Sequence, residues 1–270
     1  MEYTLLHLNI ERNKHLDAVF KLLKEKNPDI VCLEEVFSKD AEKIASQFVY
    51  NYLYSPLFIF KNKEEEDQLG SAIFSKFPII NIQKNYYGDI KIDGLITVTI
   101  EEEVESTKTK ERIENRFEYN YTLLSGLIQL NEKNNVTVCT THFPVTDHQS
   151  PSHEDHDFMN IKKIDEIERS RIFFENLVNT IHSFENPIIF TADLNNPRGE
   201  YIYDSLTHEL VDQVPADLKS SLDPNLHRVK NLNLMVDTIM TTPDIKVKSF
   251  EVIEGVSDHK AFLISFYKED

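Results

Sequence analysis

The chain has no tryptophan, only two cysteines and only six glycines among its 270 residues. Cys32 and Cys139 each sit inside an apolar run, so they read as buried, reduced thiols packed as small hydrophobes, not as a disulfide framework. The glycines are scattered, no Pro/Gly/Ser-rich linker divides the chain and no segment repeats. Residues 1–270 therefore read as a single domain. No apolar run approaches the length that crosses a bilayer, and no basic amphipathic docking element is evident, so no membrane partner is expected. The first residues carry neither a basic n-region nor a small-residue cleavage site, which makes a reducing cytoplasm the expected location.

Positive charge is also scarce. Lys and Arg number 29 against 46 Asp and Glu, a formal net charge of −17. A broad basic face for nucleic-acid backbones is excluded on this count, and the missing tryptophan removes one stacking platform. Local sites stay open, because a bound metal ion changes the field where it sits. The acidic stretches Glu64–Asp67 and Glu101–Glu103 read as solvated loops or strand ends.

The hydrophobic pattern predicts an α/β protein. Residues 3–10 read as a strand, 13–26 as an amphipathic helix ended by Asn27-Pro28-Asp29, 30–35 as a short buried strand and 38–47 as a second helix. The middle is β-rich, with strands at 48–54, 57–61, 70–75, 79–86, 94–101 and 119–130, and a polar insertion over 102–118. A strand at 136–142, a long helix over 158–182 and strands at 188–192, 233–240, 246–252 and 261–267 follow. Two mixed sheets packed face to face with helices outside accommodate this order.

The informative polar residues stand where apolar strands run out. Asn9 and Glu11 close the first strand, Glu35 closes IVCLEE, and His142 closes VTVCTTH. Asp193 and Asn195 follow IIFTA at i, i+2, the lone carboxylate of Asp237 lies in LMVDTIM, and Asp258-His259 precedes the last strand. Taken singly, these are turn caps or solvated flanks. As an ensemble they are the donor set that a hard cation and a phosphate both require.

The stretches LNIE (8–11), PDIVCLEEV (28–36), GSAIFSKFPI (70–79), TTHFP (140–144), TADLNN (191–196), MVDTIM (235–240) and GVSDHKAF (255–262) stand in the order of one known family. The chain resembles the endonuclease/exonuclease/phosphatase superfamily. That resemblance implies a four-layer α/β sandwich and a metal-dependent phosphoric ester hydrolase with Mg²⁺ or Mn²⁺ as cofactor. It implies Glu35 as the principal metal ligand, helped by Asn9 and Asp258, with Glu11 behind them. Asp193 is implied as the group that orients or deprotonates water. Asn195, His142 and His259 would hold water or phosphate, with Asp237 orienting His259. Glu34 stands where the family usually has Gln and is read as a neighbour only. The chain departs from the family at Met235, where many members have Arg, at Ala192 before Asp193, and at Leu8 before Asn9.

Arg198, Arg228 and His148 are rare positive or titratable positions beside these motifs and are expected on the substrate rim. The cluster His148, His153 and His156 matches no standard zinc spacing and reads as a polar loop. The expected partner is a small or flexible phosphate ester. A nuclease acting on DNA or RNA, and a non-catalytic binding module on the same fold, are the alternatives.

Overall fold

The computed structural model describes residues 1–63, 66–88, 94–99, 118–145 and 161–269, with residues 99 and 161–166 described by backbone alone. Thirteen strands and four helices follow along these residues. They are β1 (Tyr3–Asn9), α1 (Leu16–Lys26), β2 (Ile30–Phe37), α2 (Ser38–Phe48), β3 (Asn51–Lys61), β4 (Glu66–Ser75), β5 (Ile79–Tyr86), β6 (Thr97–Thr99), β7 (Thr122–Gln129) and β8 (Asn135–His142). Next come α3 (Ile161–His182), β9 (Ile188–Asp193), α4 (Tyr201–Leu206), β10 (Val211–Asp212), β11 (Asp237–Thr241), β12 (Ile245–Ile253) and β13 (Ala261–Lys268).

Two mixed sheets result. One runs in the order β12-β13-β1-β2-β4-β3-β6, the other β10-β11-β9-β8-β7-β5. The parallel pairs β1–β2 and β8–β9 are each connected through a helix, α1 and α3, as parallel neighbours require. Leu6 and Leu8 of β1 and Val31 and Leu33 of β2 pack with Val19 and Leu23 of α1 and Ile44 of α2. Leu5, Ile30 and Cys32, one residue out of phase, enter a second core with Val138, Cys139, Ile189 and Phe190 of the other sheet. Phe173 and Leu177 of α3 join that core. Two-residue periodicity thus gives each central strand two buried faces, which explains runs such as IVCLEE. The fold is the α/β sandwich expected from the pattern.

The expected break at Pro56 is absent. β3 runs through it, with a register shift between Pro56 and Phe58 that absorbs the missing donor. Gly70 faces the same place, and a Cβ there would collide with the Ser55 carbonyl. β11 starts at Asp237 and not at 233, α1 starts at 16, and α4 and β10 are too short to show periodicity. The insertion expected over 102–118 lies, except for Glu118, outside the described residues. No helix among the described residues is long and apolar enough to cross a membrane.

Candidate active site

One edge of the space between the sheets is polar. On β1 the facing residues are Leu5, His7 and Asn9; on β2 they are Ile30, Cys32 and Glu34. The opposite sheet contributes Thr140, Asp193 and Asp237, and the register sets His142 and Asp237 on either side of Asp193. Alternation alone would send Glu35 to the outer face, under the helices. A bulge between Leu33 and Val36, with Glu35 at φ 50°, breaks the alternation there, and Glu35 acts by its charge on Asp258 of the rim. Glu11, Arg12 and Asn195 also have positive φ, so much of the left-handed non-glycine backbone gathers on this rim.

Asp193 is the meeting point. Its Oδ2 accepts a hydrogen bond from Asn9 Nδ2 at 3.0 Å and lies 3.7 Å from His142 Nε2 and 3.9 Å from His259 Nε2. Its Oδ1 accepts the Asn195 backbone N–H at 2.9 Å. Asn195 in turn donates Nδ2 to the Phe143 carbonyl at 3.0 Å, and Asn9 Oδ1 accepts the Glu11 N–H at 3.1 Å. Three strands and the turn before β13 are therefore joined at one carboxylate that is 1% exposed.

Behind it lies a buried chain of ionisable groups. His259 Nδ1 donates to Asp237 Oδ2 at 2.7 Å, so the two side chains expected to pair do so. His7 Nε2 reaches the other oxygen of Asp237 at 3.3 Å, and His7 Nδ1 lies 3.4 Å from Glu34 Oε2. Glu34 Oε1 accepts the Thr140 hydroxyl across the sheets. Burial alone would raise the Asp237 carboxyl, but the imidazoles, His259 first, hold it well below the usual range. Burial likewise opposes charging His259, and Asp237 and Asp193 outweigh it, so its pKa stands well above the ordinary value. Glu34, desolvated more than it is compensated, is pushed up to about 7.

A stability prediction follows. His259, raised in the fold, stabilises fully below its unfolded pKa of about 6.5 and stops doing so as pH rises through the folded value. Asp237, depressed in the fold, stabilises above about 4 and stops doing so only as pH falls through its folded value. The stability gap between metal-free wild type and Asp237→Asn should be widest between about pH 4 and 6.5 and narrow at alkaline pH. Thermal unfolding across pH measures it, and a gap independent of pH would show that the pair is not ionised.

A second group of carboxylates lies beside this chain. Burial raises the Asp258 carboxyl, the charge of His259 opposes the shift, and Glu11 and Glu35 add to it by like-charge repulsion. Glu11 is met by Lys14 and, at 3.2 Å, by His15. Glu11, Glu35 and Asp258 are oxygen donors of the kind a hard divalent cation takes, and a cation among them would relieve the repulsion, but their carboxylates do not gather at ligand spacing in this structure. Among the described residues, Asp193, Asp237 and His259 are the group that offers three ligand atoms within 4.8 Å of one another. That trio is the poorer cation site, because both oxygens of Asp237 already face imidazoles and His259 Nδ1 carries the proton it donates.

The model of the Endonuclease/Exonuclease/phosphatase family matches residues 6–259. The chain belongs to this family. Its solved neighbours share the fold at low identity. The catalytic domain of human nocturnin, solved with a sulfate anion, is 14% identical, with 99% of this chain and 93% of that one covered and a TM-score of 0.66. An endonuclease/exonuclease/phosphatase from Bacteroides vulgatus is 15% identical over 100% of both chains, TM-score 0.68. Truncated TDP2 from Caenorhabditis elegans is 18% identical over 99% and 98%, TM-score 0.58. No curated protein matches. Members of the family are in general phosphoester hydrolases.

Among the rim residues expected from the sequence, Arg198 is engaged within the fold. Its guanidinium donates to Asp212 at 2.8 Å, to the Val214 and Pro215 carbonyls at 2.9 and 3.1 Å and to the Tyr203 hydroxyl at 3.3 Å. It pins the segment after α4. Arg198→Ala should lower stability by about 1–3 kcal/mol, seen as a thermal shift of several degrees, and leave KM unchanged. A raised KM at unchanged stability would restore the substrate role. Arg228 is exposed on a loop tied to the GVSDH turn through Asp223, whose carboxylate accepts the Gly255 N–H at 2.7 Å. His148 lies outside the described residues. His7 and Glu34, not among the expected site residues, stand directly behind the site. The available signal was phase: His7 lies two residues before Asn9, on the same face of the strand.

Proposed function

We propose that this chain is a divalent-metal-dependent phosphoesterase that cleaves a phosphate ester with water. The observation that carries the reading is the convergence of Asn9, His142 and His259 on Asp193. Asp193 takes a proton from the attacking water, and Asn195 holds that water or a phosphate oxygen. His259, kept protonated by Asp237, and His142 meet the negative charge that gathers on the phosphoryl group. Glu35 is the main ligand of Mg²⁺ or Mn²⁺, with Asp258, Asn9 and Glu11 completing or supporting the site. When bound, the ion polarises the phosphoryl oxygen and stabilises the leaving oxygen.

The substrate is small or flexible. A net charge of −17 repels long polyanions, so duplex DNA should bind weakly and with a shallow salt dependence. The test is hydrolysis of bis(p-nitrophenyl) phosphate and p-nitrophenyl phosphate with Mn²⁺ or Mg²⁺, with and without EDTA. Metal-dependent release of nitrophenolate is expected. No turnover with either ester and either metal would favour a binding module, and a tight, steeply salt-dependent complex with random duplex would favour a nuclease. A panel of nucleotides, sugar phosphates and sphingomyelin then assigns the substrate class.

A further inference from the structure

His7 occupies a place where packing alone calls for an apolar residue. It is fully buried between Leu6 and Leu8, with the Phe262 ring 6.2 Å from its own. A histidine there would be an expensive way to fill space unless both ring nitrogens have work to do. Nε2 meets Asp237 at 3.3 Å in a hydrogen bond, while Nδ1 lies 3.4 Å from Glu34 Oε2 out of hydrogen-bond alignment and feels that carboxylate through its charge alone. Each oxygen of Asp237 meets one imidazole nitrogen, His259 Nδ1 at 2.7 Å and His7 Nε2 at 3.3 Å, and because a carboxylate can only accept, a proton is assigned to each nitrogen.

A carboxylate rotates about its terminal bond with little resistance. Held at one oxygen only, Asp237 could keep its bond to His259 while swinging the ring away from Asp193. Held at both, its plane is fixed. Its backbone is fixed as well, because Ser221 Oγ accepts the Asp237 N–H at 3.1 Å. Glu34 sits behind His7 and is itself tied to Thr140 on the opposite sheet. The family's usual glutamine at the Glu34 position would offer no negative charge to the inner side of the His7 ring.

The geometry points to His7 as a positioning residue: it clamps the inner oxygen of Asp237, so that the outer oxygen holds the His259 ring facing Asp193, while Glu34 steadies His7 from behind. The catalytic consequence rests on the function proposed above. The clamp itself belongs to the metal-free chain and is tested there.

The experiment compares metal-free, ¹⁵N-labelled wild type with two variants by imidazole ¹⁵N–¹H correlation and low-field proton spectra, alongside steady-state kinetics. His7→Gln keeps an N–H where Nε2 stood. The double variant His7→Leu/Glu34→Gln removes the clamp without leaving a bare buried charge. Wild type and His7→Gln should show a slowly exchanging low-field proton on His259 Nδ1. In the double variant its exchange should speed up by about tenfold or more, and kcat should fall by about tenfold or more with KM within about twofold. A folded double variant that keeps that proton protected, with kcat within about threefold of wild type, overturns the clamp. Should the double variant not fold, wild type decides: a His7 Nε2 without a proton overturns it, and a protonated one supports it. If wild type turns over no phosphate ester, the proposed function fails, and the proton exchange still decides the clamp.

Discussion

Asp193→Asn is expected to retain no more than about a thousandth of wild-type turnover while staying folded and binding metal normally. An amide has nearly the shape of a carboxylate but cannot take a proton from water. The surroundings make the loss specific. Both carboxylate oxygens accept hydrogen bonds, one from Asn9 Nδ2 and one from the Asn195 N–H, so the NH₂ of the new amide must face one of these donors. That mismatch should cost about 1–2 kcal/mol of stability, well short of unfolding a chain of this size. Turnover of the esters by both proteins, with circular dichroism as the check on folding, measures the effect. A variant retaining more than about a tenth of the wild-type rate would remove Asp193 from the water-activating role.

The second large effect concerns Glu35. Glu35→Ala should weaken Mg²⁺ or Mn²⁺ binding by at least about tenfold and abolish metal-dependent turnover in proportion, because it removes the carboxylate proposed as the principal ligand. Glu35→Gly should lose the metal equally and yet fold more stably than the alanine variant by about 1 kcal/mol, since φ at this position is 50° and glycine adopts that region without a steric penalty. Calorimetric titration and thermal unfolding of the three proteins separate the two effects. Unchanged metal affinity in both variants would sink the assignment of Glu35.

Much of this site can be read from sequence because strands alternate. Asn9, His142, Asp193 and Asp237 each interrupt or end an apolar run, and the sheets bring those ends to one edge. What cannot be read depends on departures from regularity or on loop partners. Glu35 falls at a bulge where the alternation breaks, and the string Glu34-Glu35 alone does not say which carboxylate goes where. His7 hides because a lone polar residue amid leucines looks like a tolerated core position, and its two partners are 27 and 230 residues away in sequence. Arg198 is hard to read for the opposite reason. A cation three residues beyond Asn195 suggests phosphate, whereas its carboxylate partner, Asp212, lies 14 residues further on, on an edge strand of two residues that shows no periodicity.

The contacts that build the candidate site run from one layer of the sandwich to the other: Asn9 to Asp193, His7 to Asp237 and Thr140 to Glu34. Neither sheet holds a usable half. Activity is thus a readout of docking between layers and not of strand content. A swollen, acid-expanded form that keeps its strands but loosens the central packing would be catalytically silent while its far-ultraviolet spectrum still looked native. Conversely, a ligand seated on this edge would bridge both layers, and its binding free energy would strengthen the sandwich as a whole.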